Sequence, residues 1–229
     1  MWRKAVQAAL RQRGYVLRRE PELSAFLRSR AVDLVVDVGG NVGQFASELR
    51  HLGYRERIWS FEPVQAIHAQ LARTAATDAR WRTTRTALGA QPGTASINVS
   101  DLDVFSSLRS ATPTAVAFDP RSAALRTEEV PIATLDSFMA DDPARAPFIK
   151  IDTQGFEREV LEGAGQTLAR AVGLLIELPI ADLYEGAWRF PEAIDTLDRL
   201  GFVPAQFRAN TPDHDGVSAL EFDCIFRRK

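Results

Sequence analysis

Apolar positions in this chain fall into short continuous runs separated by amphipathic stretches. The run from Ala31 to Val38 is apolar apart from Asp33 and Asp37, as in a strand covered on both faces. Gln44 to Leu52 reads as a helix stopped by Gly53. Arg57 to Phe61 reads as a second strand, Val64 to Ala76 as a helix and Trp81 to Ala87 as a third strand. After a less regular section, Phe148 to Ile151 is again a buried strand. A helix follows from about Glu157 to Ala171, with Val160, Leu161, Ala164 and Leu168 on one face. Gly173 to Leu178 is a fifth strand, ended by Pro179, which has no N–H for a ladder. Pro191 to Leu200 is a helix, and Phe202 to Phe207 and Ala219 to Phe226 are two final strands. Strands alternating with helices predict an α/β fold.

The pattern is interrupted over residues 93–134, which read as an insertion. Gly93 to Ser100 alternates apolar and polar like a half-exposed strand, and Glu129 to Asp136 is strand-like and runs into a helix near Leu135. Ser110 to Thr127, with Pro113 and Pro120 and no clear period, reads as a loop or lid. Residues 1–30 read as a helical cap ahead of a domain over residues 31–229. Trp2 to Arg19 carries Arg3, Lys4, Arg11, Arg13, Arg18 and Arg19 and no acid. A solvated basic face is favoured there over an arm on an anionic membrane surface. Pro21 is expected to open a second helix, Glu22 to Ser29.

With 229 residues the chain suffices for one sizeable core. A net charge of −2 gives no support to a nucleic-acid partner, and no apolar run approaches the roughly 20 residues of a membrane span. The amino terminus lacks the apolar core of a signal peptide. The single Cys224 excludes an internal disulfide, which suits a cytoplasmic location.

The chemistry concentrates around Asp37-Val38-Gly39-Gly40-Asn41-Val42-Gly43-Gln44-Phe45, a strand end, a glycine-rich turn and a helix start. The glycines permit a tight turn and close approach of a ligand, and this is where open α/β sheets hold nucleoside cofactors. A dinucleotide fingerprint counted from Gly39 would need glycine where Asn41 and Gln44 stand, which disfavours a nicotinamide-dependent oxidoreductase. The spacing D-x-G-x-x-x-G is that of S-adenosylmethionine enzymes. Glu62 ends the second strand about 20 residues on, where a carboxylate accepts ribose hydroxyls. Asp152 and Glu177 end later strands at the same edge of the sheet. Either is a candidate base, and together they are candidate ligands for magnesium. His214, between two acids in a loop, is a third candidate base. Tyr184 and Trp188 are candidates for stacking on an acceptor ring, with plain core burial as the alternative.

The chain resembles the FkbM family of S-adenosylmethionine-dependent methyltransferases from about Val35 to Phe226. The carriers are the glycine turn, Phe61-Glu62-Pro63, Ala87-Leu88-Gly89, Ser106-Ser107-Leu108, Thr134-Leu135-Asp136, Lys150-Ile151-Asp152, Gly155-Phe156-Glu157, Val160-Leu161-x-Gly163-Ala164 and Asp223-Cys224-Ile225-Phe226. Where the family has valine-glutamate-glycine after the aspartate, this chain has Thr153-Gln154-Gly155, so a role for that carboxylate does not carry over. The resemblance implies a Rossmann-like class I methyltransferase sheet of seven strands, mostly parallel, with helices on both faces and the last strand antiparallel. It implies that Asp37, Gly39, Asn41, Gly43, Gln44, Phe45, Glu62, Ala87 and Asp152 border S-adenosylmethionine, and that Ser106 and Ser107 border the acceptor. It further implies O-methylation, of a sugar or glycoconjugate hydroxyl or else of a polyketide or other natural product. A non-catalytic binding module is the reading from another class, opposed by the intact Asp37, Gly39, Gly43, Glu62 and Asp152. The expected partner is a small-molecule or oligosaccharide acceptor. Oligomeric state stays open, a homodimer included.

Overall fold

In a computed structural model, residues 2–13, 15 and 23–229 are described. In chain order the elements are α1 (Trp2–Gln12), α2 (Leu23–Ser29), β1 (Leu34–Val38), α3 (Gln44–His51), β2 (Arg57–Phe61), α4 (Gln65–Ala75), β3 (Trp81–Thr84), β4 (Ala87–Leu88) and β5 (Gly93–Ser100). There follow α5 (Pro113–Phe118), β6 (Ala124–Ala133), α6 (Leu135–Met139), β7 (Pro147–Ile151), α7 (Glu157–Glu162), α8 (Gly165–Arg170), β8 (Gly173–Pro179), α9 (Phe190–Arg199), β9 (Phe202–Pro212) and β10 (Ala219–Arg228).

Seven strands form one sheet in the order β3-β2-β1-β7-β8-β10-β9. Its pairings are parallel except that β10 runs antiparallel to both β8 and β9. The last strand is therefore interior to the sheet and β9 forms the edge. Because side chains alternate across a strand, β1 feeds two cores. Val36 and Val38 pack with Leu135, Val160, Leu168 and Leu197 from α6 to α9, whereas Val35 packs with Leu27, Ala46, Leu49 and Leu71 from α2 to α4. Helices thus cover both faces, and the parallel strands all present their carboxyl ends to one edge.

The insertion is a second sheet, β4-β6-β5, with its own core of Val64, Ala87, Ile97, Val99 and Val130. Four expectations from the sequence are corrected. The run Trp81 to Ala87 is two strands, and Ala87 pairs with Ile132 in the small sheet. The helix expected from Glu157 to Ala171 is two, α7 and α8, broken at Gly163, a position kept as glycine because a Cβ there would collide with the Gly89 carbonyl. Ser110 to Thr127 is not a free loop. Thr112 caps α5 by accepting the Ala115 N–H at 3.2 Å, donates its own hydroxyl to the Asp182 carbonyl at 2.6 Å, and Pro113 fits the first turn. Of the span between the last two expected strands, Arg208 to Ser218, residues 208–212 continue β9 and residues 213–218 form the hairpin tip. The segment from Val16 to Glu22 lies outside the described residues, so the proposed start of the second helix at Pro21 and Glu22 does too. Among the described residues no helix is long and apolar enough to cross a membrane.

Candidate active site

A cavity of about 590 Å³ opens at the carboxyl edge of the large sheet, roofed in part by residues 104–108 of the insertion. At its floor lies the turn after β1. Gly39 and Gly40 donate their N–H groups to the Phe61 carbonyl at 3.1 and 2.9 Å, which ties the turn to β2. Gly39 has φ +76°, and a Cβ there would collide with the Asp152 carbonyl. Gly43 has φ +96° and sits against Trp81 and Leu71. Both positions need glycine for the packing of the turn onto its neighbours.

Beneath the turn is a charged cluster. Asp37 is fully buried; its Oδ2 accepts the Ser60 hydroxyl at 2.7 Å, and Trp81 Nε1 donates to the Ser60 hydroxyl at 3.0 Å. Lys150, directly opposite Asp37 on β7, places its Nζ 3.2 Å from Asp37 Oδ1 and 3.4 Å from Asp152 Oδ2 and donates to the Gly39 carbonyl at 2.7 Å. Burial works against its charge, but Asp152 and Asp37 outweigh that and hold its pKa above the ordinary lysine value. The signal for this residue in the sequence is a lysine in an otherwise apolar strand.

Glu62 is 6% exposed and lines the cavity. Its Oε2 accepts the Asn41 N–H at 3.1 Å and its Oε1 accepts the Val64 N–H at 2.9 Å. Burial raises its pKa to about 7 against the opposing pull of those two N–H groups. Each oxygen keeps acceptor capacity toward the cavity, the arrangement that suits a vicinal diol. Farther in the same direction, Thr86, Ala87, Leu88 and Ile97 make a wall that accommodates a flat, partly apolar ring. The residues present therefore fit a nucleoside cofactor.

The opposite wall is acidic and polar. Asp152 and Glu177 both line the cavity, joined by Gln154, whose Nε2 donates to Asp152 Oδ1 at 2.9 Å and to Glu177 Oε2 at 2.6 Å. Asn210 Nδ2 donates to Glu177 Oε1 at 2.6 Å. Burial raises the Glu177 pKa well above the usual carboxylate value, and the nearby Asp152 and Glu221 add to the effect. Glu221 is pushed to about 7, again chiefly by burial. Thr211 and Asp223 complete this wall. The sequence does not mark Asn210 and Thr211 on β9 or Glu221 on β10, because nothing local shows that strand ends beside a hairpin face a site.

The predicted residues thus divide. Gly39, Asn41, Gln44, Phe45, Glu62, Ala87, Ser106, Ser107, Asp152 and Glu177 line one cavity. Asp37 and Gly43 lie under it and shape the turn. Three candidates stand elsewhere. His214 is exposed at the β9–β10 tip, with its ring stacked 4.7 Å from that of Phe118. Trp188 is 5% exposed and packs in the main core, so its aromatic face is spent on the fold. Tyr184 is 4% exposed and lies behind the cavity wall, where its hydroxyl donates to Gln154 Oε1 at 2.6 Å. Nor do Asp152 and Glu177 fit as magnesium ligands, since an amide nitrogen holds the point between them. Among the described residues no three His, Cys, Asp or Glu side chains are grouped to share a metal ion.

A glycine turn above a buried acid, a strand-end carboxylate 21 positions beyond Asn41 and a cavity at the sheet edge bring the known families into view. Residues 37–204 match the model of the methyltransferase FkbM domain. The chain belongs to the FkbM methyltransferase family. It is a class I, S-adenosylmethionine-dependent methyltransferase by that membership. Among solved structures it is similar to magnesium protoporphyrin IX methyltransferase from Synechocystis PCC 6803, solved with bound S-adenosylmethionine. The TM-score is 0.51 at 12% identity, covering 90% of this chain and 76% of that one. It is also similar to an rRNA methylase from Streptococcus thermophilus, with a TM-score of 0.50 at 14% identity, covering 93% and 99% of the two chains. At such identities these likenesses speak for the fold alone. No curated protein matches the sequence.

Proposed function

We propose that this FkbM methyltransferase methylates a hydroxyl oxygen of a sugar or glycoconjugate precursor, with Asp152 as the general base. The observation that carries the reading is the carboxylate pair Asp152 and Glu177 on the cavity wall beyond the glycine turn. A sugar hydroxyl is a poor nucleophile until its proton leaves, and a carboxylate within hydrogen-bond reach supplies the acceptor. When bound, S-adenosylmethionine supplies an electrophilic methyl carbon. In the proposed arrangement Glu62 accepts the ribose hydroxyls, Ala87 and Leu88 lie along the base, and Asn41, Gln44 and Phe45 border the remainder. Asp37 and Gly43 act indirectly, by fixing the turn. Ser106 and Ser107 reach the acceptor side from the insertion. Asp152 would take the acceptor's hydroxyl proton as the methyl group leaves the sulfonium sulfur for the oxygen, S-adenosylhomocysteine being the leaving group, while the other Asp152 oxygen faces Lys150.

Saccharide recognition falls to polar groups. With Tyr184 and Trp188 buried, aromatic stacking gives way to Asn210, Thr211, Glu221 and Asp223, a set of donors and acceptors matched to a polyol. The sugar preference also draws on the family. The test is transfer of label from methyl-labelled S-adenosylmethionine to a panel of mono- and oligosaccharides, glycolipids and phenols. Label on a saccharide hydroxyl is the expected result. Label confined to phenols, or to nitrogen, would overturn the reading.

A further inference from the structure

The amide of Gln154 stands where a metal ion would have to stand if Asp152 and Glu177 shared one. Its nitrogen is 2.9 Å from one carboxylate and 2.6 Å from the other. An amide nitrogen has two hydrogens, and each is taken by one carboxylate. The amide cannot turn over at no cost. Its oxygen accepts the Tyr184 hydroxyl at 2.6 Å, and a flip would aim that oxygen at both carboxylates and leave the hydroxyl without its acceptor. The backbone is held as firmly. Gln154 has φ +56°, a region that disfavours residues other than glycine, and its carbonyl accepts the Ser107 hydroxyl at 2.6 Å. The far oxygens of the pair are also engaged, Asp152 Oδ2 near Lys150 at 3.4 Å and Glu177 Oε1 by Asn210 at 2.6 Å.

We infer that Gln154 is the residue that keeps this carboxylate pair free of metal and sets it as a hydrogen-bonded clamp for the acceptor hydroxyl. A magnesium or manganese site needs oxygen ligands at about 2.0–2.2 Å and repels an N–H pointed at the same spot. The donated hydrogens offset the mutual repulsion of two neighbouring carboxylates and leave their remaining lone pairs directed to the cavity. Gln154 is a positioning residue, acting through Asp152 and Glu177. A glutamate in its place would put three carboxylates around one point and remove the blocking hydrogens. The metal argument does not depend on the acceptor; only the clamp rests on the reading of this cavity as a methyl-transfer site.

The experiment titrates MnCl₂, followed by manganese paramagnetic resonance, into the wild type, Gln154→Glu and Gln154→Ala. S-adenosylhomocysteine titrations on the same samples report folding and test the methyltransferase reading separately. The expected result is no saturable manganese site in the wild type and binding about tenfold tighter or better in Gln154→Glu. Adding Asp152→Asn to that variant should abolish the site. Saturable binding by the wild type that Asp152→Asn abolishes would overturn the inference. So would manganese affinity in a Gln154→Glu protein that binds S-adenosylhomocysteine but takes up metal no better than the wild type. Should Gln154→Glu fail to fold, Gln154→Ala decides together with the wild type. Gain of a manganese site on loss of the amide supports the inference, and no gain contradicts it.

Discussion

Lys150 and Asp37 face each other across paired strands β7 and β1, with Nζ 3.2 Å from Oδ1 and both side chains buried. The ammonium also ties down the carbonyl of Gly39, so one charge holds two strand ends and the turn above them. Removing one member of a buried pair leaves the other uncompensated, at a cost of about 3–5 kcal/mol. Lys150→Met should therefore lower the melting temperature by roughly 10 °C, at about 2–4 °C per kcal/mol for a chain of this size. A thermal scan showing a change within 2–3 °C would mean that the pair is dispensable to the fold.

Glu62 should make cofactor affinity depend on pH. Its pKa is about 7 in the folded protein against an ordinary 4.5, because it is buried. The fold thus holds its proton more tightly than the unfolded chain does. That contribution to stability is complete below about pH 4.5 and is lost as pH rises through about 7. A diol donates to the ionised form, so S-adenosylhomocysteine affinity should rise by up to about tenfold per pH unit below 7 and level off above it. Glu62→Gln should flatten this dependence, and Glu62→Ala should weaken binding by roughly tenfold to a hundredfold. Calorimetric titrations from pH 5.5 to 8.5 measure both effects. Equal slopes for the wild type and Glu62→Gln would remove Glu62 from the cofactor site.

Arg109 should act on the turn that carries Gln154. Its guanidinium donates to the Gly155 carbonyl at 2.7 Å and the Glu185 carbonyl at 2.9 Å and pairs with Glu159 at 2.5 Å. Hydrogen bonds to a charged group contribute about 1.5–3 kcal/mol, and a fork that reaches three partners is not replaced by an ammonium. Arg109→Lys should destabilise almost as much as Arg109→Ala in denaturant titrations. Full rescue by lysine would show that charge alone matters.

Deleting the span from Pro113 to Pro120 should unfold more than a lid. Ala115 and Phe118 of α5 pack with Leu183, Tyr184 and Leu220, and Tyr184 in turn orients Gln154. The deletion should lower stability as well as turnover. A deletion protein with the wild-type melting temperature and impaired turnover would restore the lid reading.

The sheet was legible because buried parallel strands leave uninterrupted apolar runs, as at Val35-Val36 and Phe148-Ile149. Glu62, Asp152 and Glu177 were legible for a related reason, since each is the acid that closes such a run. Less was readable where the cause lies across the fold. Gly163 must be glycine because of the Gly89 carbonyl, 74 residues away in sequence, and Gly39 because of the Asp152 carbonyl. Local period cannot report such contacts. Asn210 and Thr211 meet the cavity because β9 continues past its expected end at Phe207, and Glu221 meets it from within the expected last strand. Tyr184 and Trp188 could be read either way from the sequence, since a stacking site and a core share that composition, and their burial fits the core reading.

The role of Asp152 bears the most weight, and Asp152→Asn tests it with the least disturbance, keeping size while removing charge and basicity. Its side chain reaches the cavity between the glycine turn and Glu177, with Lys150 and Gln154 fixing its two oxygens. Single-turnover transfer from methyl-labelled S-adenosylmethionine to the acceptor found in the panel should fall by about 10²–10⁴-fold, with S-adenosylhomocysteine affinity nearly unchanged. Near wild-type turnover by Asp152→Asn at saturating substrates would contradict the assignment and leave Glu177 as the base of the same cavity.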